Sequence, residues 1–322
     1  MNEFELIQQY FSSQGLARDD VVVAIGDDAA VVTPSARMQQ VVTTDMLVAG
    51  THFLADADPQ SIGYKSLAVN LSDLAAMGAS PTWFTLNLSL PGVDRLWLEW
   101  FRDGLFRLAG TYGVQLIGGD TVRGPLVVGV QAFGVVPAGT ALMRSGARPR
   151  DRIYVTGTLG DAGLALAQQR NELALSAPDR EIVMQRLHFP APRVSEGVGL
   201  RDVASSCIDI SDGLLADLGH ILQASAVGAR VVLERIPISS VYRQHFEHVH
   251  SWDAALKSGD DYELCFTVPA EQTATLERLG AAWACGVSYI GDIEAAPGLR
   301  LVDAHGRTHE PTMEGFDHFA DD

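Results

Sequence analysis

Apolar residues recur at helical spacing from Tyr64 to Ala79. Tyr64, Leu67, Ala68, Leu71, Leu74 and Ala75 make one continuous stripe. The opposite face carries Val69, Ala76 and Met77 instead of charge, so the pattern predicts a helix buried nearly all round. Gly78 and Pro81 supply its stop. Ser66, Asn70 and Asp73 follow at i, i+4 and i+7 as a single polar row, which places Asp73 inside the protein. A buried carboxylate must be paired, neutralised or metal-bound. The helix alone leaves open whether Asp73 is a ligand or a structural group bonded to backbone.

The rest of the chain alternates strands and helices. Phe4 to Phe11 reads as a short helix, and Val21–Ile25 and Ala29–Val32 as strands around Gly26-Asp27-Asp28. Gln39 to Asp45 is a strand ending in Thr43-Thr44-Asp45. After the apolar helix come a strand at Trp83–Leu90, a helix at Asp94–Tyr112, a strand at Val114–Ile117 ending in Gly118-Gly119-Asp120, and a strand at Leu126–Val136. Arg144 to Asp151 is polar and basic in an acidic chain, and is expected to link a domain at 1–143 to one at 144–322. The second half offers strands at Ile153–Val155, Cys207–Ile210, Gly228–Leu233 and Leu264–Val268, with one more after Pro297. Its helices follow Gly157–Gly163, span Glu181–Leu187, and begin at Leu214. The fold class is therefore α/β, with two α/β domains.

Charge narrows the partners. A formal net charge of −17 over 322 residues leaves no basic cluster to neutralise phosphate backbones, which argues against nucleic acid or an anionic membrane. The uncharged run Gly124–Met143 is long enough to raise a membrane span, but its glycines, Pro125, Pro137 and Gln131 fit a buried strand better. Cys207, Cys265 and Cys285 contain no Cys-x-x-Cys pair and lie among apolar neighbours. They read as buried free thiols of a reducing, cytoplasmic compartment.

A recurring design carries the chemistry: a strand, then small residues, then one or two aspartates. It occurs at Asp27-Asp28, Asp45, Asp120, Asp209 and Asp212. In open α/β sheets ligands gather at strand ends, so these groups are expected to converge, joined by Asp73. Oxygen-only donors select Mg²⁺ or Ca²⁺; zinc spacing and the EF-hand pattern are missing, which favours Mg²⁺ completed by substrate phosphates. The plainer alternative is that single aspartates cap helices or close turns. Gly157 to Gly163 has the wrong spacing for a dinucleotide loop, and no P-loop occurs. Ser211, at a helix start beside Gly213, is expected to offer free backbone N–H groups to phosphate.

These residues form longer motifs: Gly26-Asp27-Asp28-Ala29, Ala49-Gly50-Thr51-His52-Phe53, Asn70-Leu71-Ser72-Asp73-Leu74-Ala75-Ala76-Met77-Gly78 and Ile117-Gly118-Gly119-Asp120-Thr121. Arg144-Ser145-Gly146-Ala147, Ile208-Asp209-Ile210-Ser211-Asp212-Gly213-Leu214 and Asp261-Tyr262-Glu263-Leu264 continue the series. Together they resemble the thiamine-monophosphate kinase family, from Phe4 to Phe319. The resemblance implies the aminoimidazole-ribonucleotide synthetase-like fold, a homodimer whose N-terminal sheets pack together, and ATP bound near that interface. It implies Mg²⁺ ligands at Asp28, Asp45, Asp73, Asp120 and Asp209, assisted by Thr43 and Thr44, with Asp212 at an outer metal position. Nucleotide contacts are implied at Gly119, Asp120, Arg144, Ser211 and Tyr112. His52, Asp260 and Phe316 match the thiamine-phosphate pocket. Asp260 departs from the family, where Glu is common.

The implied reaction is ATP-dependent phosphorylation of thiamine monophosphate to the diphosphate. A phosphate monoester is largely dianionic at neutral pH, so the acceptor needs no general base. Bringing two anions together instead demands positive charge, from several Mg²⁺ ions and Arg144. Another ATP-using synthetase of the same fold would share the Mg–ATP half; a selenophosphate synthetase would want a reactive residue near the N-terminus, yet no Cys precedes Cys207. A non-enzymatic divalent-cation-binding protein would explain the aspartates but not the Arg144 linker or the Ser211 helix start.

Overall fold

The computed structural model describes residues 2–12, 14–246, 252–309 and 311. The chain divides into two compact units, Met1–Leu74 with Ala79–Gly139, and Ala75–Gly78 with Thr140–Asp322.

The first unit opens with helix α1 (Glu3–Ile7), where Asn2 and Glu5 cap each other reciprocally. The chain then widens into a π-turn, Gln8–Ser12, instead of continuing as one helix. Strands β1 (Val21–Val23) and β2 (Val31–Val32) form a small antiparallel ribbon around the Gly26–Ala29 turn. The main sheet holds β3 (Met38–Val48), β4 (Ser80–Leu90), β5 (Gln115–Arg123) and β6 (Val127–Pro137) in the order β3-β6-β4-β5. Helix α2 (Pro59–Ala76) is the apolar helix of the sequence, with Leu67, Leu71 and Leu74 fully buried. Helix α3 (Arg95–Tyr112) starts where the Asp94 carboxylate accepts from the Leu96 and Trp97 amides, and ends at the left-handed Gly113.

Two strands outrun their sequence signals. β3 continues three residues past Asp45, and β5 runs through Gly118-Gly119-Asp120 to Arg123. Glycines read as a stop, but here they sit in a strand with a register shift against β4. At Gly119, φ is +147° and a Cβ would lie 1.8 Å from the Leu86 carbonyl oxygen, so only glycine lets the two backbones approach.

The second unit carries a seven-stranded sheet. Its strands are β7 (Arg152–Thr156), β8 (Ser206–Asp209), β9 (Gly228–Val232), β10 (Leu264–Val268), β11 (Val287–Glu294), β12 (Gly298–Val302) and β13 (Thr308–His309), in the order β13-β12-β9-β11-β7-β10-β8. Its helices are α4 (Asp161–Gln169), α5 (Ala177–His188), α6 (Val194–Gly199), α7 (Leu214–Ser225), α8 (Ser240–His245), α9 (Asp253–Lys257) and α10 (Thr273–Gly280). Ile153 and Val155 of β7 pack in one buried cluster with Leu164 of α4 and Leu214, Leu218 and Ile221 of α7. Among the described residues no helix is long and apolar enough to cross a membrane. The Gly124–Met143 run is mostly β6, whose residues alternate between buried and half-buried.

Both sheets are mainly antiparallel. Among the described strands of these two sheets, only β4–β5 and β9–β12 pair in parallel. Carboxyl ends of successive strands therefore fall on opposite edges, and a rule built on parallel sheets does not gather the aspartates by itself.

Candidate active site

In the first unit a cavity of about 660 Å³ lies beside the Gly26–Ala29 turn. Asp27, Asp28, Gly118, Gly119 and Asp120 line it, together with Phe4, Ile7 and Phe11 of the N-terminal segment. The volume is that of a small-molecule site. Asp28 and Asp120, far apart in sequence, thus share one cavity, and both are exposed. The Asp28 amide donates to the Asp27 carboxylate at 2.8 Å, which fixes the turn.

A second pairing joins β3 to α2. Thr43 Oγ1 donates to Asp73 Oδ2 at 2.5 Å. The strand's two-residue period puts Asp45 on the same face as Thr43, and Thr44 on the other. Thr44 Oγ1 donates instead to the Val130 carbonyl at 3.1 Å. Asp73 is half-buried, not enclosed as the helix pattern implied, and faces Thr43 of β3. Among the described residues no three His, Cys, Asp or Glu side chains are close enough to hold a metal ion between them. His52 accepts the Val48 amide at Nδ1 (3.0 Å), so its ring proton sits on Nε2. Tyr112 is half-buried at the last turn of α3.

In the second unit the loop after β8 and the loop before β10 lie against each other. The Asp260 amide donates to the Ser211 carbonyl at 2.9 Å, and the Tyr262 amide to the Ile210 carbonyl at 2.8 Å. Asp260 and Tyr262 both take positive φ, 68° and 50°, and Tyr262 Oη donates to Asp260 Oδ1 at 2.9 Å. Ser211 and Asp212 are half-buried, and Asp209 is buried at the end of β8. Arg144 is exposed; beyond it, Ser225 Oγ accepts the Gly146 and Ala147 amides and so clasps the linker to α7. Phe316 lies outside the described residues.

One expectation is overturned here. The Ser211 amide is not free for a phosphate: it and the Asp212 amide donate to Asp217 Oδ2 at 3.1 and 3.0 Å. Burial pushes the Asp217 carboxyl up to about 7, against the pull of those two amides. Asp217 escaped the sequence reading because it falls on the apolar run of α7; an acid at the fourth helical position after Asp-Gly was the available signal.

The glycine-rich stretch Gly157–Gly163 also finds its use. The Gly160 amide donates to both oxygens of Asp261, at 3.0 and 2.9 Å. At Gly157, φ +57°, a Cβ would lie 2.1 Å from Glu263 Oε1. The loop therefore cradles the chain's own carboxylates. Glu263, fully buried, accepts Arg193 Nε at 2.6 Å and Nη2 at 2.5 Å, Arg186 Nη2 at 2.7 Å, and Thr156 Oγ1 at 2.7 Å. Cys207 and Cys265 are buried free thiols; Cys285 is only half-buried, and burial raises its thiol to about 11.

Comparison with known proteins follows the same two units. Residues 26–136 match the N-terminal domain of AIR synthase related proteins, and residues 148–304 match their C-terminal domain. The thiamine-monophosphate kinase of Escherichia coli (strain K12) is 49% identical over 327 residues, covering 99% of this chain and 98% of the relative. That of Bacillus subtilis (strain 168) is 34% identical over 333 residues, covering 99% and 100%. The crystal structure of thiamine-monophosphate kinase from Stenotrophomonas maltophilia K279a superposes with a TM-score of 0.84 at 47% identity, covering 88% of this chain and 92% of that one. A structure of AaThiL complexed with AMPPCP and TMP superposes at 0.78 and 30% identity, covering 92% of each chain. The Escherichia coli hydrogenase maturation protein HypE, at 19% identity and TM-score 0.80, shares the fold alone. The chain belongs to the thiamine-monophosphate kinase family.

Proposed function

We propose that the protein transfers the terminal phosphoryl group of ATP to thiamine monophosphate, giving thiamine diphosphate. One observation carries the reading: Asp28, Gly119 and Asp120 meet in a single ligand-sized cavity, in a chain related end to end to thiamine-monophosphate kinases. The donors at this cavity and at the Thr43–Asp73 pair are all oxygens, which suits Mg²⁺. Mg²⁺ keeps waters and takes one or two carboxylates plus substrate phosphates, so no closed protein cage is required. In the first unit Asp28, Asp45, Asp73 and Asp120, with Thr43, would hold such ions, Thr44 assisting only through its backbone; in the second unit Asp209 would be a ligand and Asp212 an outer one. When bound, the ions supply positive charge that draws two anions together.

The chain's own groups then orient and neutralise. Gly119 and Asp120 offer backbone and carboxylate at the cavity wall, Tyr112 and Ser211 add nucleotide contacts, and the Arg144 guanidinium faces solvent where it can meet phosphate oxygens. His52, with Nδ1 occupied by Val48, presents an Nε2 proton to the acceptor phosphate. Asp260, with one oxygen bonded to Tyr262, sets a carboxylate against the cationic thiazolium, with Phe316 as its aromatic companion. The acceptor dianion is its own nucleophile, so the transfer is direct and in line.

A homodimer through the first unit fits the same picture. β3 is an edge strand, and its outward face carries Val42 and Met46 at 50% and 63% exposure. The test of the activity is incubation of the purified chain with Mg–ATP and thiamine monophosphate. Thiamine diphosphate in stoichiometric balance with ADP is the expected product; ATP hydrolysis without it would overturn the reading.

A further inference from the structure

Helix α7 begins without the usual cap. Its N-cap residue is Gly213, at φ 106°, with no side chain to accept an amide. Ser211 and Asp212, residue types that commonly cap, stand just before it and are not used that way. The turn before the helix is instead held from inside it. Asp217, 2% exposed, reaches back one turn, and its Oδ2 accepts both the Ser211 and the Asp212 amides. Its own amide donates to the Gly213 carbonyl at 3.0 Å, closing the turn.

The carboxylate thus holds the two amides of the turn that leads into the helix. It satisfies the two amides and leaves the Ser211 hydroxyl and the Asp212 carboxylate out of the capping. The other side of the same turn is held as well, because the Ser211 carbonyl accepts the Asp260 amide. Gly259 lets the two loops approach, since a Cβ there would lie 2.0 Å from the Ser211 carbonyl oxygen. The Ser211 residue is gripped at both its N–H and its C=O.

We propose that Asp217 is a positioning residue for the nucleotide half of the reaction, holding the Ser211–Asp212 turn so that those two side chains stay available to Mg–ATP. The inference rests on the proposed nucleotide role of that turn. Asp217→Ala removes both amide contacts, while Asp217→Asn keeps an oxygen that accepts them. Asp217→Glu keeps the charge but displaces the oxygens by one methylene.

Steady-state kinetics of the full-length protein, with melting temperatures, separates the outcomes. Asp217→Ala should raise KM for Mg–ATP roughly tenfold, the scale of losing charge-assisted hydrogen bonds, with a clearly smaller change in KM for thiamine monophosphate. Asp217→Asn should return KM for Mg–ATP to within about threefold of wild type, because its amide oxygen takes the same two N–H groups. If Asp217→Ala does not fold, Asp217→Glu carries the test, with a severalfold rise in the same constant. A parallel rise in both KM values tracking a lost melting temperature, or unchanged kinetics in the variants, overturns the proposal. Ser211→Ala and Asp212→Asn serve as controls. If they leave KM for Mg–ATP unchanged in an active enzyme, it is the nucleotide role of the turn that fails. If they raise it while the Asp217 variants do not, only the positioning role fails.

Discussion

Asp28 and Asp120 in the first unit, and Asp261 and Glu263 in the second, come from similar sequence: small residues and acids beside a strand. Their surroundings are opposite. The first pair is exposed on a cavity wall, with lone pairs open to a ligand. The second pair is buried and already answered, by the Gly160 amide for Asp261 and by two guanidinium groups for Glu263. Burial holds the Asp261 carboxyl well above the usual range. A solvated carboxylate can wait for a metal, whereas a buried one must be answered at once, and in Asp261 and Glu263 the chain itself does so. One kind of acid is thus set aside for chemistry, and the other fastens the loops that bear Ser211 and Asp260.

Substitution should separate the two kinds. Asp28→Asn and Asp120→Asn are expected to lower turnover at least ~100-fold, the scale of losing a metal-held transition-state contact. Melting should move by no more than about 2 °C, because exposed polar swaps change stability little. Product formation and a thermal scan on the same samples check both halves. A large melting loss would place these acids with the buried set and erase the contrast.

Glu263→Ala should behave the other way. Removing it leaves Arg186 and Arg193 without their shared carboxylate, at a cost of about 3–5 kcal/mol. Urea unfolding reads this as a lower midpoint with little change in slope. An unchanged midpoint would mean that the two arginines find other partners at no cost.

The smallest effect concerns pH. Asp20, in the first unit, is held below the usual carboxylate range by its hydrogen bonds from Arg18, helped by the Trp83 indole at 3.0 Å. Its contribution is present above about pH 4 and is lost as pH falls below it. Asp161, in the second unit, is pushed up by burial despite the Ser239 hydroxyl at 2.6 Å. Its folded form prefers the proton, so its contribution is fully present below about pH 4 and declines as pH rises. Melting curves of Asp20→Asn and Asp161→Asn, each subtracted from wild type across pH, should therefore slope in opposite directions. Parallel slopes would show that the two carboxylates do not differ in kind.

Much of this was legible from residue order. The stripe at Leu67, Leu71 and Leu74 announced α2, Asp94 and Gly113 stand where α3 begins and ends, and the motifs around Asp28, Asp73, Asp120 and Asp212 pointed to their family. Strand ends were harder. Gly118-Gly119 reads as a stop because glycine is flexible, yet pairing with β4 carries β5 through it. Asp217 was hidden inside an apolar run, where its neighbours Leu214, Leu215 and Leu218 dominate the pattern.

Local order by itself determined the long helices and most strands of the first unit, but not β11 or the short helices α6, α8, α9 and α10 of the second, and it showed which chemistry such oxygen-rich motifs suit. Periodicity and turn propensity act over a few residues, so they leave their mark in the sequence. Tertiary structure alone decided which acids are open and which are spent. That Thr43 meets Asp73 while Thr44 turns to Val130, and that Asp217 takes the amides beside Ser211, depends on strand pleat and on packing between distant segments. Solvation of a carboxylate is a property of everything around it, and no window of sequence contains that surrounding.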